Sequence, residues 1–145
     1  MPLLLNEFMS AFNGSFTAAL RWHQLDALWA VLRDQADDDW YIYAVGEAPP
    51  ESPSSMSELH RFIDEMDSFL RREHDEAYCG IVYADNLLQP GFIKIYDPHN
   101  LGVSCGYSLN PPLPGWILSK LAPCDLPSTR VLPNNRRRWW RKLFE

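Results

Sequence analysis

Hydrophobic positions in the first part of the chain recur at helical spacing. Ala18, Trp22, Leu25, Trp29 and Leu32 stand four, three, four and three residues apart, on one stripe of a 3.6-residue period. The spacing predicts an amphipathic helix over residues 15–34, with Ser15 as N-cap after an Asn13-Gly14 turn and Asp37, Asp38 and Asp39 as a solvated break behind it. Residues 40–45 are rich in aromatic and β-branched side chains and too few for a stable helix, so they predict a strand. Three prolines in residues 46–54 rule out a strand interior and predict a loop.

The best-specified element follows that loop. Ser55 and Glu58 form an S-x-x-E capping box, and Leu59, Phe62, Ile63, Met66, Phe69 and Leu70 fill one face of the helix it opens, which should end near Glu73. Residues 78–84 and 92–97 read as the two strands of an antiparallel hairpin around an Asp85-Asn86 turn that closes on Pro90-Gly91. A right-handed crossover through the preceding helix would make the first strand parallel to the hairpin's first strand. Residues 102–107 and 115–121 are weaker strand candidates on either side of a proline-rich turn at 111–114. The fold expected is therefore α+β: a single domain with a mixed sheet of three to five strands and two amphipathic helices, in the order α-β-α-β-β-β. Residues 1–122 would form the compact domain and residues 123–145 a proline-containing basic and aromatic tail.

At 145 residues, with 46% hydrophobic and 22% charged positions, the chain is long enough to bury a core without metal or disulfide staples. Its net charge of −6 argues against a nucleic-acid-coating surface. That sum conceals an asymmetry: from Arg130 onward six bases face one acid, giving +5, and the 129 residues before it carry −11. Such a tail suits contact with an acidic surface, on its own body or on a partner. Arg136, Arg137, Arg138, Trp139, Trp140 and Arg141 combine cations with large rings as interface hot spots do. The same composition would allow contact with an anionic membrane surface, which ranks second. The expected partner is another protein, self-association included, and not nucleic acid.

Two further clusters carry possible chemistry. Strand alternation puts Phe92, Lys94 and Tyr96 on one face and Tyr41 and Tyr43 on one face of their own strand. If the two rows share a side of the sheet, they make an aromatic surface around a lysine, which is either a binding platform or the seat of a second layer of structure. Asp97, His99 and Cys105 bring a carboxylate, an imidazole and a thiol into one turn region, the ingredients of nucleophilic catalysis, although Asp-Pro and Asn-x-Gly are also ordinary turn chemistry. The three cysteines, Cys79, Cys105 and Cys124, form no CxxC pair, which suits a reducing compartment, the cytoplasm by default. The start of the chain has neither the basic region nor the cleavage site of a signal peptide. No dinucleotide, P-loop, zinc-peptidase or hydrolase fingerprint occurs, so no cofactor or metal is expected. The leading expectation is a small accessory or adaptor protein that binds another protein, and the alternative is a small enzyme or ligand-binding protein using residues 97–105.

Overall fold

The computed structural model describes residues 6–35, 39–99 and 113–126. In chain order these form α1 (Glu7–Phe12), β1 (Thr17–Ala18), α2 (Trp22–Asp34), β2 (Tyr41–Ala44), α3 (Met56–Glu73), β3 (Val82–Ala84), β4 (Phe92–Ile95) and β5 (Trp116–Ser119). The strands make one open sheet in the order β1-β3-β4-β5-β2. Every neighbouring pair is antiparallel.

The α+β class is as the sequence implies, but three expectations are corrected. The described sheet is antiparallel where a mixed one was expected, the described residues hold three helices where two were expected, and their order is α-β-α-β-α-β-β-β. The parallel pairing fails because of the loop after β2. Gly46, at φ 101°, takes a backbone conformation that L side chains rarely adopt, and the Glu47 N–H donates back to the Ala44 carbonyl. The chain then runs back along β2 until the Ser54 N–H and hydroxyl both donate to the carbonyl of Trp40, at 2.8 and 2.9 Å. The reversal is complete before α3 begins, so the helix delivers β3 antiparallel to β2. The helix expected from residue 15 begins only at Trp22, because Thr17 and Ala18 pair with Ala84 and Tyr83 as an edge strand. The candidate strand at 102–107 lies outside the described residues.

The third helix follows its local signals. The Glu58 N–H donates to the Ser55 hydroxyl at 3.1 Å and the Ser55 N–H to the Glu58 carboxylate at 2.7 Å, closing the capping box. Its apolar face, Leu59, Phe62, Ile63, Met66, Phe69 and Leu70, is buried. These residues meet Leu25, Leu28, Trp29 and Leu32 of α2 and the sheet residues Ile42, Val82, Ile93, Ile95, Trp116 and Leu118 in the main core. The two helices are also tied by Arg33 to Asp64, by Arg71 to Asp26 and by the Trp29 indole N–H to Asp67, which itself pairs with Arg71 along α3. These surface pairs contribute little stability each.

The opposite face of the sheet has its own, smaller core. Tyr43, Phe92 and Ile117 project there and are covered by Phe8 of α1 and by Leu126, with Phe12, Phe16, Leu113, Leu121 and Cys124 packed around them. The cover thus comes from both ends of the described chain. No helix among the described residues is long and apolar enough to cross a membrane.

Candidate functional site

The pairing register decides what the aromatic rows become. Tyr43 lies opposite Ile117, Ile117 opposite Lys94 and Lys94 opposite Tyr83, so all four share the face away from α2 and α3. The two predicted rows do lie on one side of the sheet, and the chain itself covers half of that side. Phe92 is buried beneath Phe8, Phe12 and Phe16, with ring centroids 5.1, 6.3 and 5.6 Å away. Tyr43 is buried as well; its hydroxyl accepts the Leu126 N–H at 3.1 Å and faces Asp125 at 3.5 Å. Burial raises the Tyr43 pKa above the ordinary phenol value. Tyr41 is half-buried near the β2 edge.

The accessible part of the face centres on Lys94. Its ammonium sits 4.2 Å from the Phe12 ring centre and 4.0 Å from that of Phe16, two cation–π contacts. Tyr83 lies across the strand pair, with Tyr96 edge-on to it at 5.6 Å. All five side chains are half-buried, and Tyr96 also packs against the main core. Desolvation lowers the Lys94 pKa and raises that of Tyr96. Among the described residues no carboxylate ion-pairs with Lys94. A desolvated cation framed by four rings can meet an acidic group and offers flat apolar area beside it. Of this cluster the sequence supplies Lys94 and Tyr96. Phe12 and Phe16 escape sequence reasoning because they arrive from an N-terminal segment about eighty residues upstream, and Tyr83 because its partner is set by register.

At the far end of β4 the turn region is partly described. Asp97 is buried, at 3% exposure, and its carboxylate accepts the His99 N–H at 2.9 Å. The His99 imidazole Nε2 meets the Glu73 carboxylate at 2.5 Å, and the other oxygen of that carboxylate accepts from Arg72. Thus Asp97 orients the His99 backbone while Glu73, from the end of α3, faces the ring. Glu73 is twenty-six residues from His99, and no local pattern announces it. Cys105 lies outside the described residues, as do Arg136, Arg137, Arg138, Trp139, Trp140 and Arg141. Cys79 is buried, with its thiol pKa raised by desolvation. No group of three or more His, Cys, Asp or Glu side chains converges to hold a metal among the described residues.

Searches of family models, of curated proteins and of solved structures find no match to this chain.

Proposed function

We propose that this protein is a small accessory or adaptor protein that acts by binding another protein, in the cytoplasm. The observation that carries the reading is the half-open ring cluster of Phe12, Phe16, Tyr83 and Tyr96 around a lysine with no described carboxylate partner. Aromatic side chains around a desolvated cation match the composition of interface hot spots. The tail residues Arg136, Arg137, Arg138, Trp139, Trp140 and Arg141 extend the same composition and make a second point of protein contact in this reading, with contact to an anionic membrane surface ranked below it. Nucleic acid is not the expected partner of so acidic a body.

Comparative capture from native cell extract tests the reading. Proteins retained by the full chain should be lost at least tenfold from Lys94→Glu, which sets a carboxylate over the Phe12 and Phe16 rings, with the melting transition still cooperative. Equal retention by both would remove the cluster as the contact surface. Replacing Trp139 and Trp140 by Ala tests the tail in the same assay.

A second reading, a small enzyme or ligand-binding protein, is favoured by one observation, the Glu73 carboxylate on the His99 ring above a buried Asp97. An imidazole aligned by a carboxylate is a general base in waiting. This reading predicts that Cys105 alkylates faster than Cys79 and Cys124 below pH 6, and that His99→Ala abolishes the difference. Similar rates for the three thiols would dismiss it.

A further inference from the structure

We propose that the partner presents a carboxylate, set beside an aromatic side chain, to the Lys94 ammonium and the hydroxyls of Tyr83 and Tyr96. The inference rests on the reading of the Lys94 cluster as a protein-binding surface and names the chemistry of what binds there. It starts from the hydrogen-bonding groups that the cluster leaves open. The described contacts of the Lys94 ammonium are the ring faces of Phe12 and Phe16, which attract its charge and supply no oxygen acceptor. Tyr83 stands opposite Lys94 across the ladder, and the Tyr96 ring meets the Tyr83 ring on the same side of the sheet. Neither hydroxyl makes a hydrogen bond among the described residues, and neither is shut away from water. Burial raises the Tyr96 pKa, so its hydroxyl keeps its proton and is able to donate.

Charge decides the sign of the occupant. No carboxylate pairs with Lys94 among the described residues, so an anion from the partner would compensate a cation already half out of water. Charge also decides the magnitude. A carboxylate brings one charge to one ammonium, whereas a phosphate group, at about −2 near neutral pH, brings a second that no other Lys or Arg of the ring cluster meets. The chain's own residues 130–145 carry +5 and have the wrong sign to lie there. Shape decides what accompanies the acid. Phe12, Phe16, Tyr83 and Tyr96 are all half-buried, which leaves ring surface around the ammonium that a carboxylate alone is too small to cover. An aromatic neighbour of the acid would cover it, packing edge to face as Tyr96 already does on Tyr83, and would keep water from the ion pair.

The probes are a blocked peptide, Gly-Phe-Glu-Phe-Gly, its Gln-for-Glu and its Ala-for-Phe counterparts, acetate, and inorganic phosphate. Each is titrated into the full chain while nuclear magnetic resonance follows the Lys94 ε-methylene and the rings of Tyr83 and Tyr96. The expected result is that the Glu peptide binds at least tenfold tighter than every other probe and raises the pH at which Lys94 titrates, as a facing anion must. Lys94→Met should weaken it tenfold or more, and Tyr83→Phe combined with Tyr96→Phe threefold or more, with the melting transition still cooperative. Equal binding of the Gln peptide or of the Ala peptide overturns the proposal. So does equal binding of acetate or phosphate, which would make the cluster a plain anion site. Lys94 signals that shift with protein concentration and no probe would seat a second copy there and overturn it too. Even where a variant does not fold, the Gln peptide decides the matter. If the peptides fail while Lys94→Glu still abolishes capture from extract, this proposal falls and the adaptor reading stands. If the Glu peptide binds as expected while capture is unchanged by Lys94→Glu, the carboxylate site stands and the adaptor reading falls.

Discussion

In the proposed reading, Lys94 serves recognition at a cost to stability. Its ammonium is partly removed from water and is compensated by two ring faces instead of a carboxylate, and its lowered pKa says that desolvation outweighs what its surroundings return. Lys94→Met should therefore raise the melting temperature near neutral pH, by no more than ~4 °C, the equivalent of ~1 kcal/mol at this size. The sign with pH follows from linkage. A base whose folded pKa lies below its unfolded value of ~10.4 penalises the fold while charged, and the penalty fades as pH rises through the folded pKa. The advantage of the Met variant should shrink between pH 7 and pH 10, as melting curves of the two proteins at both values will show. Tyr43 has the opposite dependence. Its folded pKa is raised, so the stability it gives is complete below the unfolded value of ~10 and is lost as pH climbs past it. Tyr43→Phe should cost ~1–2 kcal/mol at neutral pH by leaving the Leu126 N–H without its acceptor, and should soften the alkaline loss seen in the parent.

Among the elements, α3 was readable from sequence and the path between elements was not. A capping box and an i, i+3, i+4 stripe are local, and both survive folding intact. Phe62 is fully buried on that stripe, so Phe62→Ala should cost ~3–5 kcal/mol. Ser55→Ala should cost ~1 kcal/mol through the cap alone, and urea midpoints measure both. The hairpin was equally local: the Asp85 carboxylate accepts the N–H groups of Gly91 and Phe92 and closes its turn. The direction of β3 relative to β2 is not legible locally because it depends on where Ser54 lands, a long-range fact that the prolines of the loop do not encode. The six-residue α1 carries too few residues for a period, and its place over Phe92 is fixed by packing. The candidate site divides the same way. Alternation along β4 exposes Lys94 and Tyr96 to the reader, whereas Phe12, Phe16 and Glu73 become neighbours only through the tertiary fold.

For the molecule as a whole, the sheet order matters more than its composition. The last described strand, Trp116–Ser119, is not an edge strand; it lies between β4 and β2 and supplies the inward ladder to both. During synthesis from the N-terminus, β2 is thus made more than seventy residues before the strand that holds it. Until residue 119 has left the ribosome, β2 lacks the strand that pairs with its inner edge. Closing such distant pairs is slow, and unpaired edges invite association with other chains. Nascent chains stalled before Trp116 should be digested by protease throughout residues 39–99, and chains long enough to present Ser119 should become resistant in one step. A fold built this way closes only when its fifth described strand emerges, so β2 waits through the synthesis of α3, β3 and β4 for the strand that pairs with it.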